Sequence, residues 1–582
     1  MTPINFDDCF GWLHSPAPDI PEQPFGVVIC GAIGFEKQVL HRPMRVLAQR
    51  LAAAGVAVLR FDYPGTGDSA GLDTDPGLVA AWLQSIDDAA SQLQILTGVT
   101  EIVLCGVHLG ASLAAAAGSR RQDRRMVLLA PVLSGRRFLR TLRLIASVTL
   151  DAAPPSTTGG FAVEAAGLRL TEEAAAELDQ IDLGRLPQSP AQHILLLDAT
   201  AAETQSVLAT KLRHGGATVD HAVFPGLDRL MVDADRSQVP DAAWTKVTHW
   251  LLDGAAQPAE ATPPARRNAP AGDWAPADWA PWYPTPQATE RPLQFGAPGR
   301  EMVGILCEPA TAHASTGVVL CNTGGNPHYG PGRLSVHLAR LLAANGIASL
   351  RIDLPGIGDA PLPDEASLPH MYVVDRGQDL RLALDQLEAL GHTRLAIFGV
   401  CSGAFHALRM ALADPRVRDV MLVNQLIFDW GENRLIGLLR RGVRLVSHRR
   451  LEPDEENTGS EELLQAQLSH TRKGWQRVRR AGFHLAQIGR RLGLPVANDP
   501  RRRFSSLALR GVRTLIAVGR QDASLTLLEG HFGSEGRVLT ALPGTTLLID
   551  PAFDHSMASQ AARERIGPAL VGFLTSVPAQ PA

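Results

Sequence analysis

Residues 397–404 read Ile-Phe-Gly-Val-Cys-Ser-Gly-Ala. An apolar run meets a Gly-x-Cys-x-Gly cluster, a pattern that predicts a buried strand turning sharply into a helix. At such a turn the central side chain stands above the sheet. Glycines two residues to either side let strand and helix pack closely. Cys401 holds the central position, at a helix N-terminus whose dipole favours a thiolate. A second segment has the same form, Cys105-Gly-Val-His-Leu-Gly-Ala111, with His108 in place of the cysteine.

The match extends outward on both sides. Gly26-Val-Val-Ile-Cys-Gly-Ala-Ile-Gly34 aligns with Gly317-Val-Val-Leu-Cys-Asn-Thr-Gly-Gly325. The loop Arg60-Phe-Asp-Tyr-Pro-Gly-Thr-Gly-Asp68 aligns with Arg351-Ile-Asp-Leu-Pro-Gly-Ile-Gly-Asp359. The offset stays at 291–293 residues, far beyond the ~20–50 of solenoid repeats, so whole domains are duplicated. Short apolar runs alternate with amphipathic stretches of helix length, the pattern of a parallel sheet covered on both faces. In the second half, strands are predicted near Gly317–Cys321, Ala348–Ile352, Leu395–Val400, Val420–Asn424, Thr514–Val518 and Thr546–Ile549. Helices are predicted at Leu334–Ala344 and Gln378–Leu390. The expected organisation is a first domain over 1–253, an Ala/Pro/Trp-rich linker over 254–290 and a second domain over 291–582. Trp274, Trp279 and Trp282 of the linker are candidates to dock on a domain.

Of 582 residues, 45% are apolar and 20% charged, with a net charge of −4. This balance argues against nucleic acid or an anionic membrane as the main partner. No run approaches the ~18 apolar residues of a transmembrane helix, and the N-terminus lacks the regions of a signal peptide. Six cysteines without a CxxC pattern fit a reducing compartment, so a cytoplasmic location is expected, with no disulfide framework and no metal. Cys30, Cys105 and Cys321 lie in apolar runs and read as core residues.

Strand, Gly-x-Cys-x-Gly and helix, preceded by the Arg-x-Asp-x-Pro-Gly-x-Gly-Asp loop, resemble the α/β-hydrolase fold over nearly all of both halves. The resemblance implies an α/β class with two tandem domains, each a mostly parallel central sheet flanked by helices. It also implies a triad in chain order nucleophile, acid, base. In that order Cys401 is the nucleophile, Asp522 in Gly-Arg-Gln-Asp is the acid, and His555 in Phe-Asp-His-Ser-Met is the base. The oxyanion donors are expected to be the N–H of Ser402 and that of Asn322 or Thr323. His328 and Tyr329 are placed at the border of the site. Asp554 is a weaker rival for the acid, because adjacency to His555 gives poor geometry. No cofactor is implied.

The first half does not carry the same set. His108 holds the nucleophile position, Asp198 the acid position, and Asp228 stands where the base histidine belongs. His221 comes too early for the base and reads as structural. The expectation is a degenerate domain that serves packing or partner binding; two cores in one chain fit a pseudo-dimer, and a homodimer is left open.

Between Asn424 and Thr514 the second half has room for a helical cap, set at about 428–511. It holds 17 Lys/Arg against 9 Asp/Glu, with recurrent pairs and the triplet Arg501, Arg502 and Arg503. One reading is solvated helix surface. Another is a basic cap that steers an acyl donor such as acyl-CoA or an acyl carrier protein toward Cys401. A cysteine elbow resembles that of polyhydroxyalkanoate synthases and of some thioesterase domains. The expected function is therefore thioesterase or acyltransferase chemistry through a Cys401 acyl-enzyme. The alternatives are an ester or lactone hydrolase of the dienelactone-hydrolase type, and a non-catalytic scaffold.

Overall fold

Successive strand residues point to opposite faces of a sheet, so a strand covered on both faces must be apolar throughout. In the strand Arg394–Val400, Leu395 and Ile397 enter one apolar layer, while Ala396, Phe398 and Val400 enter the other. The computed structural model describes residues 1–121, 123–149, 160–165, 167–199, 206–254, 282–311, 314–362, 372, 375–428 and 499–576.

In the first half, β1 (Thr2–Phe6), β2 (Cys9–His14), β3 (Phe25–Cys30), β4 (Ala57–Phe61), β5 (Glu101–Val107) and β6 (Asp123–Leu129) come first. A hairpin of β7 (Val163–Ala165) and β8 (Leu168–Leu170) follows, then β9 (Ala191–Asp198) and β10 (Thr218–Val223). The main sheet has the order β1-β2-β4-β3-β5-β6-β9-β10. It is antiparallel as far as β4 and parallel beyond it.

The second half repeats this plan with β11 (Trp282–Thr285), β12 (Ala288–Ala297), β13 (Arg300–Pro309), β14 (Thr316–Leu320) and β15 (Ala348–Asp353). It is completed by β16 (Arg394–Val400), β17 (Val417–Val423), β18 (Arg513–Gly519) and β19 (Thr545–Asp550). Their order is β11-β12-β13-β15-β14-β16-β17-β18-β19, parallel from β15 onward. Each predicted strand and helix of this half has its counterpart here, including the helices Leu334–Ala344 and Gly377–Ala389. The antiparallel strands β11 to β13 were not foreseen. Charged residues and Pro292 interrupt their apolar pattern.

The linker expected over 254–290 ends earlier than that. Trp282 starts β11 because its ring finds an apolar seat, stacked on Phe10 of the first half at 6.0 Å. Residues 255–281, with Trp274 and Trp279, lie outside the described residues, as does most of the expected cap. Of the cap, Pro500–Leu509 forms a helix, N-capped by Asp499. Among the described residues no helix is long and apolar enough to cross a membrane.

The halves meet through their duplicated loops. Arg351 Nη2 donates to Asp68 Oδ1 at 3.0 Å, and Arg60 Nη2 donates to Asp359 Oδ1 at 2.7 Å. These four residues occupy equivalent repeat positions and all are buried. The contact is thus self-complementary, as across a two-fold axis. Phe10, Trp12, Val303 and Ile305 form an apolar patch between the two sheets.

Candidate active site

β16 ends at Val400 and the next helix begins at Ser402, which leaves Cys401 alone in the turn. Its φ of 54° and ψ of −110° belong to a region that residues with a Cβ rarely enter. The flanking glycines follow from close approach. A Cβ on Gly399 would lie 2.1 Å from the Gly403 carbonyl carbon, and one on Gly403 would lie 2.6 Å from the Asn322 carbonyl oxygen.

Three side chains from distant segments meet at this turn. His555 Nε2 lies 3.3 Å from Cys401 Sγ, and His555 Nδ1 lies 2.8 Å from Asp522 Oδ2. Asp522 is also the N-cap of the helix Ala523–Phe532 and accepts from the Ser524 N–H at 2.8 Å. That local role holds its carboxylate at the end of β18. Asp554 does something else. Its carboxylate accepts the backbone N–H groups of Ser556, Ala558 and Ser559, and so shapes the loop that presents His555.

The electrostatics favour an ion pair. Burial works against the Cys401 thiolate, but hydrogen bonds from His555, Tyr372 and the Ser402 N–H outweigh it and bring the thiol below its ordinary value. Burial likewise opposes the His555 cation, yet Asp522 and Cys401 raise it to about 10. Asp522 is held below its usual range, since the bonds from His555 and Ser524 overcome its desolvation. The contrast with the structural cysteines is plain: burial alone pushes Cys105 and Cys321 up to about 12. All six thiols are free, and the five other than Cys401 are buried.

Two participants were not read from the sequence. Tyr372 Oη lies 3.2 Å from Cys401 Sγ, with its ring edge-on to Phe405 at 5.4 Å. Nothing in its local pattern marks it. Asn424, just past β17, donates from Nδ2 to the carbonyls of Asp554 (2.7 Å) and His555 (3.1 Å). Its Oδ1 accepts from the Gly519 N–H at 2.9 Å, so one amide ties the acid-bearing strand to the base-bearing loop. A polar residue ending the run Val-Met-Leu-Val was the available signal.

The loop facing the elbow holds Asn322 and Thr323. Ser402 Oγ accepts from the Gly324 N–H at 2.8 Å, which ties this loop to the elbow helix. The Asn322 side chain is engaged within the second domain: Nδ2 donates to Asp353 Oδ1 at 3.1 Å, and Oδ1 accepts from the Leu354 N–H.

His328 and Tyr329, expected at the border of the site, lie instead in the contact between the halves. His328 is 2% exposed. Its ring nitrogens lie 2.7 Å from Asp353 Oδ2 and 2.5 Å from Asp68 Oδ2. Burial disfavours its charge, but the two carboxylates win and hold it well above the ordinary histidine value. A ring protonated on both nitrogens has no lone pair to offer a substrate or a metal. Tyr329 is 3% exposed, with its hydroxyl 3.5 Å from His41 Nδ1. The arginine triplet lies on the helix Pro500–Leu509. Arg501 Nε donates to the His531 carbonyl and Arg503 Nη1 to that of Phe428, so both side chains anchor the base of the insert; Arg502 is exposed.

In the first half His108 sits in the same strained turn, with φ 53°, and its Nδ1 lies 3.4 Å from Glu36 Oε1. Asp198 Oδ2 lies 3.6 Å from His221 Nε2, so His221 faces the acid position after all. Asp228 lies in the short helix Leu227–Leu230. Among the described residues no hydrogen bond or ion pair joins His108 to Asp198. Two separate pairs stand where the second half has one relay.

Two family models match the chain. Residues 41–177 match the model described as serine aminopeptidase, S33, and residues 318–567 match the alpha/beta hydrolase family. The chain is thus a tandem α/β-hydrolase-fold protein, with one copy of the fold in each half. No curated protein matches it. Among solved structures, Est1E from Butyrivibrio proteoclasticus with bound ferulic acid is 17% identical, with a TM-score of 0.32, over 44% of this chain and 98% of its own. The Pyrococcus furiosus esterase Pf2001 is 12% identical, with a TM-score of 0.32, over 52% and 95%. The alpha/beta hydrolase GrgF from Penicillium sp. sh18 is 18% identical, with a TM-score of 0.30, over 49% and 97%.

Proposed function

We propose that the second domain transfers acyl groups from thioesters or activated esters through a Cys401 acyl-enzyme. The observation that carries this reading is the continuous relay Cys401–His555–Asp522, with contacts of 3.3 and 2.8 Å. The Cys401 thiolate attacks the acyl carbonyl carbon, and the carbonyl oxygen takes up the negative charge. The N–H groups of Ser402 and of Asn322 or Thr323 stabilise that oxyanion. As the tetrahedral adduct collapses, the bond to the leaving thiol or alcohol breaks and His555 supplies the proton. His555 then deprotonates water or an acceptor, which attacks the thioester and frees Cys401. Asp522 holds the imidazole in the required tautomer throughout. Tyr372 donates to the sulfur and favours the thiolate. Because attack on a thioester exchanges one C–S bond for another, acyl-CoA or an acyl carrier protein is the donor we favour. The first domain, with its relay split into two pairs, is read as non-catalytic.

Intact-mass measurement after exposure to acyl-CoA or p-nitrophenyl esters tests the proposal. One acyl mass is expected on the wild-type chain and none on Cys401→Ala. An unmodified wild-type chain, or an adduct that survives Cys401→Ala, would overturn it. Comparing water with added alcohols and amines separates hydrolysis from transfer.

A further inference from the structure

The oxyanion loop, residues 322–333, is held by the first domain as well as by its own. Within the second domain, Asp353 Oδ1 accepts from Asn322 Nδ2 (3.1 Å) and from the His328 N–H (2.7 Å), while Asp353 Oδ2 takes His328 Nδ1. The other ring nitrogen crosses to Asp68 of the first domain at 2.5 Å. At the end of the loop, Arg333 has a φ of 66°, strained for a residue with a side chain. Its guanidinium donates to three carbonyls of the first domain, those of Gly67 (2.8 Å), Ser69 and Gly71 (2.7 Å). Between these anchors, a Cβ on Gly325 would lie 2.7 Å from the Asp235 backbone nitrogen of the first domain.

The corresponding position of the repeat differs. There Lys37 stands where His328 does, and it pairs with Asp62, the counterpart of Asp353, inside its own domain. The first half crosses through a different histidine, His41 on the helix Phe35–Ala53, whose Nε2 lies 3.0 Å from Asp359 Oδ1 of the second domain. His328, on the loop beside Cys401, takes Asp353 of its own domain as well as Asp68 of the other.

We infer that the first domain, through Asp68 and the carbonyls of residues 67–71, positions the oxyanion loop of the second, with Asp68 as a positioning residue for acylation. This rests on the acyl-enzyme reading above. Asp68 touches neither sulfur nor substrate. It acts through His328 and Asp353 on the backbone that must aim an N–H at the oxyanion, where a shift of ~1 Å suffices to lose catalysis.

The test compares two reactions of Cys401 in the full-length chain. Acylation by a p-nitrophenyl ester needs the oxyanion donors, whereas alkylation by iodoacetamide needs only the thiolate. Asp68→Asn is expected to slow acylation on the order of 10²-fold while leaving the alkylation rate and its pH profile in place. Arg333→Lys, which keeps the positive charge but cannot reproduce the three-carbonyl fork, is expected to show the same split with a smaller loss. Wild-type acylation rates in both variants, or acylation and alkylation falling together, would overturn the inference. A wild-type chain that never acylates would instead sink the acyl-enzyme reading. The clamp is then judged by amide exchange of residues 322–333, which must speed up in Asp68→Asn and would refute the clamp by staying unchanged.

Discussion

At Cys401 the decisive quantity is the charge state of sulfur. Its thiol lies below the ordinary value near 9, and His555 is raised to about 10. The thiolate–imidazolium pair therefore exists between these limits. Alkylation of Cys401 by iodoacetamide should show an acid limb lying below that of an ordinary thiol. His555→Ala should move that limb upward, and an unmoved limb would contradict the pairing. Asn424 offers a second check. Asn424→Ala removes three hydrogen bonds that join the acid strand to the base loop, a loss of ~2 kcal/mol in unfolding free energy. Acylation should fall with it, and Asn424→Asp should restore little, since a carboxylate cannot donate to the Asp554 and His555 carbonyls.

Among the elements, the strand–elbow–helix unit stores strain to present Cys401. Cys401 at φ 54° occupies backbone that suits glycine. Cys401→Gly should abolish acylation yet be ~1 kcal/mol more stable to urea than Cys401→Ala. Equal stabilities would mean that the turn carries no strain. This unit was legible in the sequence because its chemistry is local: glycines where backbones touch, and an apolar run for a strand buried on both faces. Asp522 was legible through its place after a strand and the chain order that the resemblance implies; its cap on the next helix came only with the structure. Tyr372 was not, because it reaches the sulfur from a distant stretch with no periodic or motif signal. His328 was misplaced for a related reason. A histidine next to an oxyanion loop looks like a site residue until the partner on its far side is known.

On the scale of the whole molecule, duplication turned a pair of domains into one interlocked body. Asp68 with Arg351 and Asp359 with Arg60 are the same contact made twice. Breaking one partner of such a buried pair typically costs ~3–5 kcal/mol. His328 adds a pH signature, faced by Asp68 and Asp353, with Tyr329 beside its ring and Arg351 behind Asp68. Its raised value means that its stabilisation is full below about 6.5, the ordinary histidine value, and is lost as pH climbs through the raised one. Asp68 is lowered, so its share is present above about 3.8 and lost as pH falls. The melting gap between wild type and His328→Gln should thus be widest between those two values and shrink at alkaline pH. A gap independent of pH would argue against a charged His328.

The sequence by itself determined the duplicated α/β fold, the elbow at Cys401 and the order in which Asp522 and His555 follow it. Those properties depend on residues within a few positions of one another, or on motifs repeated at a constant offset. Only the tertiary structure decided that Asn424 ties acid to base, that Tyr372 meets the sulfur, and that His328 and Arg333 belong to the contact between domains. Each of these depends on which remote surface a side chain meets. A buried charge declares its role only through the partner that neutralises it.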